Sequence, residues 1–263
     1  MNFLSAILDH TRLLVAQRKA DVPLDRLREL PLYGRATLSL AAALRGRSPA
    51  VIAEIKRASP SRGVICHDFQ PSRIARRYEA AGAGAISVLT EEKYFLGSLR
   101  DLEEVRGAVS LPVLRKDFIL DPYQLHEAKS SGADAVLLIA AALDRGELTS
   151  LTEEARSLGL ETLVEIHSAG ELDSLRHLDF PLIGINNRDL VTFETDISLS
   201  VDLAPRLPAG SLAVSESGIR TRGDMERLSR SGIGAFLVGE HLMSSEDPGE
   251  ALAALLGSGG AGS

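Results

Sequence analysis

The stretch SGADAVLLI, residues 131–139, joins a polar helical segment to an apolar run and carries a glycine at the junction, Gly132. The same arrangement recurs in AGAGAISVL at 81–89 and in SGIGAFLVG at 231–239, which carry Gly82 and Gly232. Glycine adopts the left-handed backbone that ends a helix without steric cost. One such junction is an ordinary helix stop, but three at the same place in a repeating unit predict a repeated βα module.

Short apolar runs rich in Val, Ile and Leu alternate with amphipathic helical stretches along the chain. The runs start near Val51, Ala85, Pro112, Asp134, Glu161, Pro181, Ser211 and Gly234. Strands that are apolar on both faces and alternate with helices predict a parallel sheet, either open or closed. No G-x-G-x-x-G follows the first run, which weakens an open dinucleotide-binding sheet. Eight units in 263 residues favour a single α/β (β/α)8 TIM barrel.

The residues before the first strand predict a separate helical element. Apolar residues repeat at helical spacing in FLSAIL at 3–8, and Pro23 marks the start of a second helix. We therefore expect an N-terminal helical extension over 1–50 that packs on the barrel, the barrel itself over 51–256, and a flexible tail, GSGGAGS, over 257–263.

Composition narrows the possible partners and compartments. The net charge is -7 and no basic tract interleaves with aromatic residues, so we expect no nucleic-acid partner. No stretch approaches the roughly 18 apolar residues of a membrane span, so we expect no membrane partner. The single cysteine, Cys66, and the lack of a leader-like start predict a cytoplasmic protein, and no Cys/His spacing predicts a metal site. We take a monomer as the working expectation.

Ionisable groups stand at the ends of several predicted strands, where barrels of this kind carry their reacting groups. In VIAEIKRASPSRG at 51–63, Glu54 and Lys56 share one face of the strand because side chains alternate. By the same period, later strands end with inward-facing Lys116, Glu165, Asn186 and Arg188. A buried charge is costly unless it is paired. A structural ion-pair network accounts for any one of them, but their common position favours an active site.

The loops after strands seven and eight predict an anion site. The backbone N–H groups of Ser217, Gly218, Gly239 and Glu240 stand where such barrels often bind phosphate. Opposite them, Ser59 offers a hydroxyl that would complete the phosphate site. Since a carboxylate aimed at a phosphate would repel it, we expect only the backbone N–H of Glu240 to face the ligand.

Seven blocks of the chain resemble indole-3-glycerol-phosphate synthase, an enzyme of tryptophan biosynthesis, in order and in strand position. They are EIKRASPSRG, LTEEKYFLGS, VLRKDFIL, LVEIH, GINNRDL, VSESGI and AFLVGEHLM. The resemblance runs from about residue 3 to about residue 256. It implies a carboxy-lyase that acts by general acid/base catalysis, without metal or organic cofactor. The implied substrate is 1-(2-carboxyphenylamino)-1-deoxyribulose 5-phosphate, and the products are indole-3-glycerol phosphate, carbon dioxide and water.

The resemblance also implies site residues. The catalytic positions are Glu54, Lys56, Lys116, Glu165, Asn186 and Ser217. The substrate-binding positions are Ser59, Phe95, Arg188, Glu216, Gly218, Leu237, Gly239 and Glu240. Two other functions stay open: another phosphosugar barrel enzyme, such as an isomerase or a Schiff-base aldolase, and a non-catalytic phosphosugar-binding barrel.

The chemistry of ring closure suggests individual roles. We expect Lys116 to donate a proton to the ketone oxygen, with its pKa lowered by nearby cations. Lys56 and Arg188 would hold the substrate carboxylate, and Glu54 would act as the base, with Lys56 as a second acid. Glu165 would act either as a base or as the group that holds Lys116.

An acidic pair and a histidine near the predicted site are expected to take no part in catalysis. Glu91 and Glu92 are interpreted as a solvated loop or as partners of Lys93, and not as an acid–base pair. His167 follows Glu165 too closely, on this interpretation, to share its face.

Overall fold

The chain folds around a closed barrel of parallel strands, described by a computed structural model over residues 3–175, 178–189 and 192–257. The eight barrel strands of this part of the chain are β1 Ala50–Ile55, β2 Ala85–Leu89, β3 Val113–Lys116, β4 Ala135–Ile139, β5 Glu161–Ile166, β6 Leu182–Asn186, β7 Leu212–Glu216 and β8 Ala235–Val238. β1 pairs with β2 on one side and with β8 on the other, where Val51 is in register with Phe236. The predicted (β/α)8 barrel is therefore confirmed.

Helices precede the barrel and connect its strands. They are α1 Phe3–Asp21, α2 Leu24–Arg28, α3 Leu40–Arg45, α4 Pro71–Ala80, α5 Leu99–Arg106, α6 Pro122–Ser130, α7 Arg145–Ser157, α8 Ala169–Ser174, α9 Ser198–Leu203, α10 Arg222–Ser229, α11 Glu240–Met243 and α12 Pro248–Leu256. Asp121, Asp144 and Thr221 begin α6, α7 and α10 with capping boxes, which satisfy the free N–H groups of the first turn. No helix of the described residues is long and apolar enough to cross a membrane.

The repeated glycines end helices as the sequence predicts. Gly82, Gly132 and Gly232 have φ angles of 97°, 86° and 97°, in the left-handed region. They follow α4, α6 and α10 and lead into β2, β4 and β8. The recurring junction is thus one backbone conformation used three times.

The apolar residues form two layers, one on each side of the strands. Val51 and Ile55 of β1 pack outward against the surrounding helices, while Ile52 packs inside the barrel. Leu40 and Leu44 of α3 belong to the inner cluster, together with residues at the start of the strands. Helix α3 therefore closes the amino-terminal end of the barrel, and the opposite end is left for a site.

Helix α1 lies at that opposite end. The Phe3 ring contacts the ring of Phe193, with centroids 5.2 Å apart, in the loop after β6. At the other end of α1, Lys19 forms an ion pair of 2.6 Å with Asp121, and the Tyr123 hydroxyl donates to the carbonyl of Arg18. The N-terminal helices thus contact both ends of the barrel. The domain bounds stay a prediction, and the expected tail beyond Gly257 lies outside the described residues.

Candidate active site

A cavity of about 310 Å³ opens at the carboxyl ends of the strands. Its lining contains every residue that the sequence predicted for catalysis or binding. These are Glu54, Lys56, Ser59, Phe95, Lys116, Glu165, Asn186, Arg188, Glu216, Ser217, Gly218, Leu237, Gly239 and Glu240. The residues come from seven strands or the loops that follow them, so only the closed barrel brings them together.

Lys116, at the end of β3, lies between two carboxylates. Its Nζ donates to Oε2 of Glu165 at 2.9 Å and lies 3.4 Å from Oε2 of Glu216. Both carboxylates are almost fully buried, with 2% and 1% of their surface exposed. The ammonium group is therefore held at the centre of the barrel mouth, facing the cavity.

The expected pKa of Lys116 is wrong in direction. Burial alone would lower the pKa, but the carboxylates of Glu165, Glu216 and Glu54 outweigh it and raise the pKa above its ordinary value. Cations were expected near Lys116 from the sequence, whereas the structure places the carboxyl groups of Glu165, Glu216 and Glu54 near it. Lys116 is consequently a stable cation when the site is empty.

Glu165 and Glu216 respond to this shared lysine in opposite ways. Burial opposes the charge of Glu165, but Lys116 and His167 outweigh it and hold the pKa of Glu165 well below its ordinary value. Burial raises the pKa of Glu216 to about 8; Lys116 opposes this increase, and the nearby Glu165 carboxylate adds to it. Both Glu216 oxygens are buried without a well-aligned hydrogen bond. Of the two carboxyl groups, Glu216 is therefore the one that more readily holds a proton, while Glu165 is ionised.

Two glycines make room for the buried carboxylates. A Cβ atom at Gly184 in β6 would overlap Oε1 of Glu216, and one at Gly239 would overlap Oε1 of Glu54. Glu54 itself forms an ion pair of 2.7 Å with Lys56. The barrel thus places a second acid–base pair at the end of β1, and Gly184 is a position that the sequence reasoning missed.

The loop after β7 has an unusual backbone. Ser217 and Gly218 have φ angles of 66° and 78°, which puts two consecutive residues in the left-handed region. Asn187 holds this turn, because its Nδ2 donates to the carbonyls of Glu216 and Ser217 at 2.9 and 3.0 Å. Its Oδ1 accepts from the Ser200 hydroxyl at 2.8 Å. Asn187 was not predicted, although it follows Asn186 directly.

The side chain of Glu240 is engaged by two arginines at the rim of the cavity. Its carboxylate pairs with Arg62 at 3.0 Å and with Arg188 at 2.9 Å. Burial opposes its charge, but Arg62, Arg188 and Lys56 lower the pKa of Glu240 below its ordinary value. The hydroxyls of Ser59 and Ser61 lie 3.4 Å apart on the same rim. The carboxylate of Glu240 is thus neutralised by arginines.

Aromatic rings form the remaining wall. Phe95 and Phe118 lie with centroids 6.4 Å apart, and Phe3 and Phe193 also line the cavity. Phe118 and Phe193 were not predicted as site residues. The period of two that selected Leu114 and Lys116 also selects Phe118, so the signal for it was present.

Glu91 is buried, which contradicts the interpretation of its loop as solvated. Its side chain is buried and accepts hydrogen bonds from the backbone N–H groups of Lys93, Tyr94 and Phe95, at 3.1, 2.6 and 3.0 Å. Burial raises the pKa of Glu91 above its ordinary value, against those hydrogen bonds. Glu91 therefore fixes the loop that presents Phe95 to the cavity, while the exposed Glu92 pairs with Arg18.

The position of His167 contradicts the interpretation that it does not share a face with Glu165. Residues two apart on a strand share a face, and Nε2 of His167 lies 3.2 Å from Oε1 of Glu165. Burial opposes its charge, but Glu165 and Glu171 raise the pKa of His167 to about 9.

In the part of the chain that the structure describes, no group of three or more His, Cys, Asp or Glu side chains is arranged to hold a metal ion.

Comparison with known proteins places the chain in a family. A model of the indole-3-glycerol phosphate synthase family matches residues 4–255. An indole-3-glycerol phosphate synthase of Salinibacter ruber is 48% identical over 97% of this chain and 95% of its own. Those of Burkholderia vietnamiensis and Mycolicibacterium vanbaalenii are 49% and 48% identical, over 91% and 97% of this chain and 93% and 94% of theirs.

Solved structures of lower identity share the fold. A thiamine phosphate pyrophosphorylase from Pyrococcus furiosus aligns with a TM-score of 0.62 at 14% identity, over 84% of this chain and 97% of that chain. A mutant tryptophan synthase alpha-subunit from Pyrococcus furiosus aligns with a TM-score of 0.59 at 17% identity, over 80% of this chain and 98% of that chain. The resemblance stated from the seven sequence blocks is confirmed by the family match and the curated relatives. The chain belongs to the indole-3-glycerol phosphate synthase family.

Proposed function

We propose that this chain converts 1-(2-carboxyphenylamino)-1-deoxyribulose 5-phosphate to indole-3-glycerol phosphate, carbon dioxide and water. The observation that carries the proposal is the placement of Lys116 between Glu165 and Glu216, in one cavity with the Lys56–Glu54 pair. Two acid–base pairs in a shared cavity match a reaction that needs a proton donor at two successive steps.

The two ends of the cavity suggest how the substrate lies. The loops after β7 and β8 carry Gly218 and Gly239, and Ser59 follows β1, the strand that pairs with β8, so we place the phosphate there. The aromatic rings of Phe95 and Phe118 lie elsewhere on the wall and would pack against the carboxyphenyl ring. The reacting ketone then lies between the ends, within reach of Lys116.

Ring closure is the first step. The ring carbon that bears the carboxylate attacks the ketone carbon, and the ketone oxygen gains negative charge as the bond forms. The Lys116 ammonium stabilises that charge and gives it a proton, because a developing alkoxide is a much stronger base than Glu165 or Glu216. The raised pKa of Lys116 keeps the group charged until the alkoxide develops, and it also makes the ammonium a weaker acid, so stabilisation of the negative oxygen comes before transfer of the proton.

Glu165 holds Lys116 in this scheme. Its contact of 2.9 Å fixes the direction of the ammonium, and its lowered pKa keeps it anionic. Of the two roles left open from the sequence, holding Lys116 is therefore the one we propose. Asn186 accepts the backbone N–H of Arg188 through Oδ1 at 3.1 Å and so supports the arginine that faces the substrate.

Loss of carbon dioxide and of water follows. Lys56 and Arg188 hold the carboxylate until the carbon–carbon bond breaks, and Arg188 exchanges its pairing with Glu240 for the substrate. Glu54 then removes a proton from the ring CH2 carbon next to the nitrogen while Lys56 protonates the departing hydroxyl, so that water leaves and the indole keeps its ring N–H. Because Nζ of Lys56 and Oε1 of Glu54 are 2.7 Å apart, the proton taken by Glu54 can return to Lys56 after turnover.

A Schiff-base aldolase fits the site less well. Such an enzyme needs a neutral lysine as nucleophile, usually one whose pKa is lowered. Here the carboxylates around Lys116 raise its pKa, and Lys56 is paired with Glu54. Both lysines are better suited to donate protons than to attack a carbonyl carbon.

The test is direct. The purified chain is incubated with the proposed substrate, and indole fluorescence and released carbon dioxide are followed together. The proposal expects both signals in equal amounts without added metal. A lack of indole, or a ketose phosphate adduct of Lys116 or Lys56 trapped by borohydride, would overturn it.

A further inference from the structure

Glu165 has two oxygens, and each faces a different cation. Oε2 accepts from Nζ of Lys116 at 2.9 Å, while Oε1 lies 3.2 Å from Nε2 of His167. Lys116 lines the cavity, and His167 is not among the lining residues. The imidazole therefore stands behind Glu165 and contacts the site only through it.

The imidazole is itself held from its far side. Nδ1 lies 3.6 Å from Oε2 of Glu171 in α8. That carboxylate is anchored, because it accepts the backbone N–H of His167 at 2.8 Å and the hydroxyl of Ser168 at 3.0 Å. Neither ring nitrogen has a well-aligned hydrogen bond, so both contacts are ion-pair contacts. Among the described residues, the carboxylates at ion-pair distance from the ring are Glu165 and Glu171.

The result is a row of alternating charge that leads away from the substrate. It runs from Lys116 through Glu165 and His167 to Glu171, from the end of β3 to the first turn of α8. His167 leaves 9% of its side-chain surface exposed, so the attraction to Glu165 is only weakly screened by solvent.

We propose that His167 is a positioning residue: it holds Oε1 of Glu165, so that the carboxylate stays ionised and keeps Oε2 directed at Lys116 during ring closure. This inference rests on the proposed function, because it assigns its effect to the proton donated by Lys116. His167 itself touches neither the substrate nor the reacting atoms.

The physical reason lies in the freedom of a buried glutamate. Without a second cation, Glu165 can turn about its terminal bonds, and burial then favours its neutral form. A neutral or rotated Glu165 no longer fixes the Lys116 ammonium. Since small misplacements of a reacting group are costly, the loss should appear in kcat more than in KM.

Three variants separate the parts of this role. His167→Gln keeps an N–H donor for Glu165 but removes the charge, and His167→Ala removes both. His126→Gln is the matched control, because His126 is also buried but contacts Tyr33 and Glu154, away from the cavity. Rates are measured over the full pH range in which the protein is folded.

We expect kcat to fall by about 10-fold for His167→Gln and by up to about 100-fold for His167→Ala, in the range usual for groups that orient an active residue. KM should change by less than about threefold. In both variants the acid side of the kcat profile should move to higher pH, because the pKa of Glu165 rises when a neighbouring cation is lost. The control should match wild type in both respects.

A structural role alone would give a different result. If the two His167 variants lost thermal stability and kcat while the acid side of the profile stayed in place, the proposal would be wrong. It would also be wrong if both variants kept wild-type kcat and pH dependence.

A second measurement does not depend on activity. In the wild type, NMR should show the His167 imidazole titrating near pH 9. In Glu165→Gln the same titration should move to lower pH, because the anion that stabilises imidazolium is gone. An unchanged titration would refute the pairing. If wild type made no indole, the proposed function would fail, and this titration would still decide whether His167 and Glu165 interact.

Discussion

Replacing Glu216 by Gln tests whether this carboxyl carries a proton in the folded protein. Glu216 is buried to 1% exposure, lies over Gly184 and has a pKa raised to about 8. In the unfolded chain its pKa returns to the ordinary value of 4.5. Between these two pH values the folded state holds a proton that the unfolded state has lost. The stability of the wild type should therefore fall as pH rises through this window.

The size of the effect follows from the two pKa values. Each tenfold difference in proton affinity corresponds to about 1.4 kcal/mol, so the change from 4.5 to about 8 corresponds to about 5 kcal/mol. Gln has the same shape but does not titrate. Relative to wild type, Glu216→Gln should gain about 5 kcal/mol of unfolding free energy between pH 4.5 and pH 8, a large part of the total for an ordinary domain.

The assay is urea unfolding of wild type and variant at a series of pH values from 4.5 to 9. The control is Glu104→Gln, whose carboxylate forms an exposed pair with Arg100 and should change stability by less than about 1 kcal/mol at every pH. If the difference between Glu216→Gln and wild type did not vary with pH, Glu216 would be ionised in the folded state, and the raised pKa that we assign to Glu216 would be wrong.

Three further substitutions test other parts of the site. Glu54→Gln should bind a product analogue and release carbon dioxide but accumulate a hydroxylated intermediate; carbon dioxide and indole that appear together at wild-type rates would remove Glu54 from the base role. Arg188→Ala should weaken binding of carboxylated ligands by about 10-fold or more, and by much less for decarboxylated analogues, as measured by calorimetry; an equal loss for both would reassign it. Gly184→Ala should displace Glu216, lower kcat and cost about 1–3 kcal/mol of unfolding free energy; unchanged kcat and melting temperature would contradict the close packing found there.

The barrel was predictable because its signals are local. Gly132 and its two counterparts end helices through their own backbone conformation, and apolar runs identify strands without knowledge of their neighbours. The inward faces of Lys116 and Glu165 also follow from the alternation of side chains along each strand. Their membership in one site then needed only the rule that parallel strands present their carboxyl ends together.

The predictions that were wrong or missing concerned contacts between different strands of the barrel. Whether Lys116 is surrounded by cations or by anions is set by which strand ends face it, and Glu165 is 49 residues away in sequence. The space that Gly184 provides for Glu216 arises from the register of β6 and β7 and leaves no pattern in either strand alone. His167 is different: alternation along the strand places it beside Glu165, so that error came from applying the rule wrongly.

The role of Lys116 is tested most directly by a single-turnover measurement with excess enzyme. Wild type and Lys116→Met, which keeps the side-chain length without the ammonium, are mixed with the proposed substrate while ring closure is followed by absorbance. We predict a rate lower by about 10² to 10⁴ in the variant, measured at a temperature and pH at which the variant is folded and binds substrate. A rate within a few-fold of wild type, in a folded variant that binds substrate, would contradict protonation of the ketone oxygen by Lys116.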